Sequence, residues 1–227
     1  MLDAISHSLM FLIFLVLSLV AIHGLIHGRP SKLTKLVKQS SVTQTSLKQF
    51  ITKKPLETRA GDYFVFTEES VYSISKRFKG RFDMAILHWE DSAILDVVFE
   101  RKFPSAHLPS RAHHYDVFQT SLYALALMDS GVSCGTTKVV VIYCRQADAM
   151  KCQHNRSMAF CLSCDKSAVF EDSFSPKQTM MNLEKLDPYW FEGREPKASP
   201  NPHKCSTCPY ASKQLCRWSK AKQKSND

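Results

Sequence analysis

Hydrophobic positions recur at helical spacing in the first sixty residues and at strand spacing further on. Residues 9–26 form an 18-residue run without a formal charge, close to the ~20 residues that span a bilayer core. Residues 29–60 carry apolar side chains three and four positions apart on either side of a polar stretch, which predicts amphipathic helices. From residue 63 onward, short runs of β-branched and aromatic residues, beginning with YFVF and VYSI, predict strands.

A hairpin is the clearest of the strand patterns. The run FDMAILHW, the acidic turn EDS and the run AILDVVFERKF predict two strands joined by a short loop. Residues 112–128 then predict a helix that ends at Ser130 and Gly131. Residues 138–144 are continuously apolar and predict a buried central strand.

The last third of the core has a less regular pattern. Residues 158–163 predict another strand, whose pairing residues 168–170 extend, and residues 176–204 predict a helix followed by a linker. This succession of strands and helices predicts an α/β or α+β body around a mixed β-sheet core flanked by helices, and we expect the α/β class.

The apolar run 9–26 predicts a membrane anchor. A signal peptide needs positive charge ahead of its apolar run, and residues 1–8 have none, whereas Arg29 and three lysines follow the run. This asymmetry predicts a single-pass protein with its body in the cytoplasm; a cleaved leader and a buried core helix are the alternatives. The expected domains are an anchor (1–28), a basic helical linker (29–60), the core (61–200) and a cysteine cluster with a basic tail (201–227).

Charge is concentrated at the two flanks of the core. The net charge is +9; residues 29–60 hold eight basic residues against one acidic, and residues 204–227 hold six against one. Residues 61–203 are nearly balanced, with 16 basic and 18 acidic residues. Two basic segments beside a neutral body suit a polyanion or a membrane surface as the partner.

The predicted hairpin brings two carboxylates and an ammonium group together. If its turn is centred between Asp91 and Ser92, then Asp83 lies opposite Glu100, and Lys102 shares the strand face of Glu100. Neighbouring carboxylates repel each other unless a divalent cation lies between them. Such a group could hydrolyse a phosphodiester with a metal-activated water, while the lysine orients the nucleophile or stabilises negative charge. A surface hairpin with solvated charges is the alternative.

Four short motifs occur in a fixed order: GRFD (80–83), FERK (99–102), QTSLY (119–123) and a C-terminal cysteine segment. This order, over about residues 61–218, resembles the RecB-like branch of the PD-(D/E)XK nuclease superfamily, including the CRISPR-associated iron–sulfur exonucleases. The resemblance implies a restriction-endonuclease-like fold and Mg²⁺ or Mn²⁺ bound by Asp83 and Glu100, with the backbone carbonyl of Arg101 in the metal shell. It also implies that Lys102 is catalytic and that Gln119 and Tyr123 lie on a helix beside the active site and the DNA.

The chain departs from that family in one metal ligand. Many RecB-like members carry a histidine upstream of the motifs, but this chain has none between His27 and His88. Glu68 or Glu69 is the candidate replacement. His107, His113 and His114 follow the catalytic lysine and are expected at the surface or near phosphate rather than as ligands.

Cys205, Cys208 and Cys216 form a C-x2-C-x7-C pattern, and thiolates two residues apart converge well on one metal ion. The segment resembles the C-terminal segment of the iron–sulfur exonucleases, which implies a 4Fe-4S cluster with a fourth cysteine before the core. No cysteine precedes Cys134, so the fourth ligand is open. The candidates are His203, Cys134, Cys144, Cys152, Cys161 and Cys164.

Two alternatives to the cluster remain open. One is a Zn²⁺ site built from the C-terminal cysteines and His203, and the other is that these residues bind no metal. Cys161 and Cys164 fall within the predicted strand, where alternation would split their side chains between two faces. Cys134, Cys144 and Cys152 are expected to be small buried hydrophobes.

These patterns predict a metal-dependent DNA nuclease, acting as an exonuclease on single-stranded DNA and tethered to the membrane by its N-terminal helix. The basic flanks would supply phosphate affinity, and Trp218 in the basic tail would stack on bases. The alternative is a catalytically inactive nuclease-fold protein that binds nucleic acid or serves as a scaffold and keeps a structural zinc site.

Overall fold

The computed structural model describes residues 31–52, 59, 61–154, 157–195 and 197–220. Its contacts divide the chain into two compact units, Met1–Thr179 and Met180–Asp227. The predicted membrane span, residues 9–26, lies outside the described residues and stays a prediction. Among the helices that are described, none is long and apolar enough to cross a membrane.

A mixed sheet forms the centre of the first unit. In spatial order its six described strands are β1 (Ser41–Val42), β2 (Tyr63–Thr67), β5 (Met84–Trp89), β6 (Ala93–Lys102), β7 (Lys138–Cys144) and β8 (Ser167–Ser173). Strand β6 runs parallel to β7, and β1 runs parallel to β2, while the other neighbours are antiparallel. A separate two-stranded hairpin, β3 (Ser70–Ser73) and β4 (Phe78–Arg81), lies between β2 and β5 in the chain.

Helices cover both faces of this sheet, which confirms the predicted mixed sheet flanked by helices. They are α1 (Lys32–Gln39), α2 (Leu47–Thr52), α3 (His114–Asp129), α4 (Gln146–Lys151) and α5 (Met158–Cys161). The long helix α3 connects β6 to β7 and packs on one face of both strands. Leu33 of α1 and Met158 of α5 pack on the other face, around Phe99, Val140 and Ile142. Apolar burial on both faces explains why β7 has a continuous apolar sequence.

Two expected elements lie close to their predicted places. Helix α3 covers His114–Asp129, and its C-terminal cap is at Ser130, followed by Gly131 with φ of +94°, a left-handed conformation that glycine adopts without steric cost. Strand β7 matches residues 138–144.

The predicted pairing of the two hairpin strands is correct at their open end, although the centre of the turn differs from the prediction. Trp89 pairs with Ala93, so the loop is centred on Asp91. The register then shifts between Ile86 and Leu87, because Asp96 on β6 is an extra, bulged residue. Beyond the bulge Met84 pairs with Phe99, which is the pairing that the sequence predicted there.

Residues 158–163 were predicted as a strand, and this prediction is wrong. They begin with helix α5, where the Ser157 side chain accepts a hydrogen bond from Phe160 N. Met158, Cys161 and Leu162 all pack on the sheet, and their spacing of three and four residues is helical. The run is too short for its period to be recognised from sequence. The strand of this region is β8, at Ser167–Ser173.

Part of the basic segment 29–60 packs into the core. Strand β1 joins the sheet edge, and Phe50 of α2 is fully buried against the rings of Phe64, Phe66 and Trp89. The indole Nε1 of Trp89 also donates a hydrogen bond of 2.8 Å to the carbonyl oxygen of Phe50. Residues 31–52 are therefore a structural part of the first unit.

Phe50→Ala is expected to lower the free energy of unfolding by about 3–5 kcal/mol, since it removes a fully buried aromatic ring. Urea denaturation of the full-length protein, followed by tryptophan fluorescence, measures this change. Lys48→Ala, an exposed position on the same helix, should have little effect. A loss below about 1 kcal/mol for Phe50→Ala would show that α2 does not stabilise the core.

The second unit is helical in its described part. Helix α6 (Pro176–Glu184) leads into this unit, and α7 (Asp187–Trp190), α8 (Pro202–Ser206) and α9 (Pro209–Ser212) follow. Helix α6 agrees with the helix predicted at the start of 176–204, and the predicted linker that follows it contains the single helical turn α7. Proline stands first in α8 and α9, a position where its fixed φ suits a helix start and no amide hydrogen is needed.

Candidate active site

Lys102, Glu100 and Gln119 form one hydrogen-bonded group. The Lys102 Nζ donates to Glu100 Oε1 at 2.7 Å and to Gln119 Oε1 at 2.8 Å, and Gln119 Nε2 donates to Glu100 Oε1 at 3.1 Å. Glu100 and Lys102 are two residues apart on β6 and so share the face that α3 covers. Strand alternation and the helix thus bring together three of the predicted site residues.

Tyr123 joins this group from the next turn of α3. Its hydroxyl oxygen accepts a hydrogen bond from Gln119 Nε2. Gly80 packs against its ring: a β-carbon at Gly80 would lie 2.5 Å from the Tyr123 Cε1 atom. The glycine of the GRFD motif therefore makes room for the tyrosine of the QTSLY motif. Tyr123 is both a buried aromatic and a member of the polar cluster.

Asp83 lies immediately before β5, beside the end of β6. Its Oδ2 accepts a hydrogen bond of 2.6 Å from the backbone N of Arg101 and lies 3.7 Å from Arg101 Nε. Asp83 is also close enough to Glu100 for its negative charge to raise the pKa of that carboxyl group. The two carboxylates are therefore neighbours, but Asp83 is turned towards the main chain.

The turn before β3 is hydrogen-bonded to Asp83. The backbone N of Glu68 donates to Asp83 O at 3.1 Å, and Glu68 has a positive φ of 55°. Its carboxylate, however, pairs with Arg81 Nε at 3.3 Å. Glu68 was a candidate replacement for the missing histidine ligand, and this ion pair with Arg81 occupies its carboxylate.

Asp116 is a buried carboxylate that the sequence analysis did not select. Its Oδ1 lies 3.5 Å from Lys102 Nζ, and its Oδ2 accepts a hydrogen bond of 2.6 Å from the Tyr143 hydroxyl. The Tyr143 oxygen in turn accepts a hydrogen bond from the backbone N of His113. This chain fixes the carboxylate beside the ammonium group. The three candidate histidines, His107, His113 and His114, are exposed, as expected.

A helical spacing signal would have found Asp116. It precedes Gln119 by three residues and Tyr123 by seven, so the three share one helix face. The role of Tyr143 could not be predicted in this way. In KVVVIYC it resembles the neighbouring apolar residues, and its partner is distant in the sequence.

Burial and the neighbouring charges shift the pKa values of the group in a consistent way. Desolvation raises the pKa of Glu100, and Asp83 and Asp116 raise it further, although Lys102 opposes them. For Lys102, burial alone would lower the pKa, but the hydrogen bond and charge of Glu100, together with Asp116, outweigh it and raise the pKa. Burial also raises the pKa of Tyr123. Lys102 is therefore a fixed positive charge at neutral pH.

One carboxylate oxygen of Glu100 is buried and has no hydrogen-bond partner among the described residues. This oxygen is Oε2, on a side chain that is only 9% exposed. A buried anionic oxygen without a partner is costly in free energy, and a cation is one partner that would remove the cost. The donor set of Asp83 and Glu100, both hard oxygen ligands, fits Mg²⁺ or Mn²⁺.

Tyr143→Phe is expected to lower the free energy of unfolding by about 1–3 kcal/mol, because it leaves a buried carboxylate oxygen of Asp116 without its donor. Chemical denaturation measures the change, with Tyr72→Phe at an exposed position as the matched control. If the two variants are equally stable, the Tyr143–Asp116 hydrogen bond contributes nothing to folding.

The C-terminal cysteines lie in and beside helices α8 and α9. Cys205 is in α8 and Cys208 caps α9, with a backbone hydrogen bond of 3.3 Å between them, while Cys216 follows α9. Across the described residues, no three His, Cys, Asp or Glu side chains stand together as a group that could hold a metal ion. The iron–sulfur cluster and its zinc alternative therefore remain predictions from sequence.

Only one of the remaining cysteines matches the predicted small buried hydrophobe. Burial raises the pKa of Cys134 to about 12, which makes it an unreactive thiol. Cys144 and Cys152 are half-buried instead, and together with Cys161 and Cys164 they line a pocket on the other face of the sheet.

Comparison with known proteins gives no family assignment. Neither a protein-family model nor a curated protein matches this chain. A solved structure described as "Crystal structure of SSO0001" aligns with 69% of this chain at 14% identity and a TM-score of 0.35. The chain spans 61% of the length of that structure. A similarity this weak does not transfer any property to the present protein.

Proposed function

We propose that this protein is a metal-dependent nuclease that hydrolyses phosphodiester bonds at the Asp83–Glu100–Lys102 cluster. The observation that supports the proposal best is the buried Oε2 of Glu100 beside Asp83, which has no hydrogen-bond partner in the described part of the chain. A group with these charges, fixed at the end of two neighbouring strands, is suited to bind a divalent cation and a phosphate together. The proposed fold is restriction-endonuclease-like, in keeping with the mixed sheet and the order of the motifs.

The side chains have distinct proposed roles. Asp83 and Glu100 hold Mg²⁺ or Mn²⁺, which when bound supplies an activated water and charge neutralisation for the phosphate. Lys102 stabilises negative charge on the phosphate as an ammonium group; its raised pKa makes it unsuitable as a general base. Gln119 orients Lys102 and Glu100 through two hydrogen bonds, one to each side chain, and Asp116 is a positioning residue for Lys102.

The proposed substrate is single-stranded DNA, cleaved from an end. The basic segments 29–60 and 204–227 would supply phosphate affinity. In the second unit, the Arg217 guanidinium lies 4.9 Å from the centre of the Trp218 ring, and that ring is 53% exposed. Exposed aromatic and guanidinium groups suit the stacking of unpaired bases. Membrane attachment through residues 9–26 and the 4Fe-4S cluster at the C-terminal cysteines complete the proposal.

A cleavage assay on the full-length protein tests the proposal. The substrates are a linear single-stranded oligonucleotide with a terminal fluorophore, the same sequence as a closed circle, and its duplex, each with Mg²⁺, Mn²⁺ or EDTA. We expect a ladder from the linear strand with metal, and no cleavage of the circle or with EDTA. Cleavage of the circle would contradict an exonuclease. No cleavage of any substrate with either metal would contradict the nuclease.

The alternative is a catalytically inactive protein that binds nucleic acid or acts as a scaffold, with a structural zinc site. It is favoured by one observation, that Asp83 Oδ2 already accepts a hydrogen bond of 2.6 Å from the backbone N of Arg101. Gel-shift binding of the same strand without cleavage, and without detectable Mn²⁺ binding, would favour this alternative.

The proposal also predicts a pH dependence. A proton competes with the metal for Glu100, and burial raises the pKa of this carboxyl group above its ordinary value of 4.5. Mn²⁺ affinity should therefore fall as the pH is lowered through this raised pKa, before an ordinary glutamate would be protonated. Calorimetric titration with Mn²⁺ at a series of pH values measures the effect. Constant affinity down to pH 4.5 would contradict it.

A further inference from the structure

Four of the eight cysteines line one pocket on the sheet face opposite the candidate active site. They are Cys144, Cys152, Cys161 and Cys164, and the pocket between them is otherwise walled mainly by apolar side chains. We propose that these four thiols form a Zn²⁺ site. The site uses none of the C-terminal cysteines and does not depend on the proposed nuclease function.

The elements of the first unit converge to bring the four residues together. Cys144 ends β7, Cys152 caps the C-terminal end of α4, Cys161 ends α5, and Cys164 lies in the turn before β8. The first pair is separated by seven residues, the second by two. Two ligand pairs from consecutive segments, one of them C-x2-C, are typical of structural zinc sites.

The two cysteines of the C-x2-C pair can face the same pocket, which they could not do within a strand. Because α5 ends at Cys161 and a turn follows, the two thiols are not alternated across a sheet. The Ser167 hydroxyl donates to the carbonyl oxygens of Cys161 at 2.6 Å and Cys164 at 2.9 Å, and the Ser167 N donates to Cys164 O at 3.2 Å. One serine thus fixes both ends of the turn.

The charges around the pocket also suit a thiolate–metal centre. Arg101 lines the same pocket and interacts with Cys161. Zn²⁺ with four thiolates carries a net charge of −2, and a guanidinium beside it would offset part of that charge.

The thiols must come closer together to bind the ion. As they stand, none of the described Cys, His, Asp and Glu side chains makes a ready three-ligand group. A cysteine side chain has one rotatable bond with three staggered positions, so its sulfur can move without the backbone. The ligand is a thiophilic ion because a site with four sulfur donors selects soft or borderline metals over Mg²⁺ or Ca²⁺.

Metal analysis of the full-length protein tests the site. The starting variant carries Cys205→Ser, Cys208→Ser and Cys216→Ser, which removes any metal at the C-terminal cysteines. We expect about one zinc per chain in this variant, by plasma mass spectrometry after dialysis, since a four-thiolate site is saturated by one ion. Adding Cys161→Ser and Cys164→Ser should reduce the zinc content at least tenfold, whereas adding Cys134→Ala should not change it.

A spectroscopic measurement on the starting variant does not depend on the folding of the pocket variants. Co²⁺ added to the zinc-depleted protein should give the intense visible bands of tetrahedral thiolate coordination, and one equivalent of Zn²⁺ should abolish them. The proposal is overturned if the starting variant binds neither metal. It is also overturned if the starting variant contains an iron–sulfur chromophore in place of zinc, or if the zinc is unaffected by Cys161→Ser and Cys164→Ser in a protein with a native circular dichroism spectrum.

Discussion

Lys102→Met is expected to reduce metal-dependent cleavage of single-stranded DNA by about 10²–10³-fold, the usual cost of removing one charge-stabilising donor from an active site. The methionine keeps the length of the side chain but removes the ammonium group that donates to Glu100 and Gln119. Because Glu100 and Asp116 hold Lys102 in its charged form, its loss removes an electrostatic contribution to the proposed reaction at neutral pH. Initial rates on the linear strand measure the effect.

A second measurement separates lost catalysis from lost folding. Removal of the ammonium group leaves Glu100 without a competing cation, so Mn²⁺ should bind Lys102→Met at least as tightly as it binds the wild type. An unfolded variant would not bind it. Lys138→Met is the matched control, since Lys138 begins β7 and its side chain is 42% exposed. Equal cleavage rates for Lys102→Met and Lys138→Met would contradict the proposed role.

Glu100→Gln is expected to abolish both Mn²⁺ binding and cleavage. The amide preserves the shape and can still accept from Lys102, but it lacks the negative charge that holds a divalent cation. A bound metal supplies several kcal/mol of transition-state stabilisation, which corresponds to a rate loss of about 10³-fold or more. The metal-free variant should be at least as stable as the metal-free wild type, since burial disfavours the charged form of Glu100.

The combination of lost activity and preserved stability distinguishes a metal ligand from a structural carboxylate. Glu171→Gln on β8 is the control, because its carboxylate is 43% exposed and pairs with Lys138. Calorimetry with Mn²⁺ and urea denaturation are performed on both variants. If Glu100→Gln retains Mn²⁺ affinity, or loses several kcal/mol of stability without metal, Glu100 does not act as the proposed ligand.

The sequence was most informative where a local period determines which side chains share a face. Alternation along β6 placed Glu100 beside Lys102, and helical spacing placed Gln119 beside Tyr123, and both pairs are close in space. These relations depend only on strand and helix geometry. The predicted pairing of the two hairpin strands also holds at the end that carries Asp83.

Contacts between distant segments could not be predicted in the same way. The hydrogen bond from Tyr143 to Asp116 joins residues 27 positions apart, and the type of neither residue predicts this contact. Phe50 was assigned to a basic linker because many lysines surround it in the sequence. Its ring is in fact buried, and its partners are in β2 and β5. Both depend on how the elements pack, which a local pattern does not contain.

Short apolar segments were ambiguous for a different reason. Residues 158–163 contain too few positions to distinguish a period of two from one of 3.6, and reading them as a strand separated Cys161 from Cys164. The helix and turn observed there place the two cysteines on one pocket. One wrong assignment of secondary structure thus obscured a group of four thiols.

The bulge at Asp96 lies between the loop end of the hairpin and the end that carries Asp83 and Glu100. The Asp96 carboxylate forms a hydrogen bond of 2.7 Å with His88 Nδ1. Beyond the bulge, six residue pairs with β7 also hold β6 in register. A change of length in the loop at residues 90–92 can therefore be absorbed before it reaches Asp83 and Glu100. That loop is the preferred point for inserting a fluorescent or paramagnetic reporter, through which substrate binding could be followed without disturbing the reactive end.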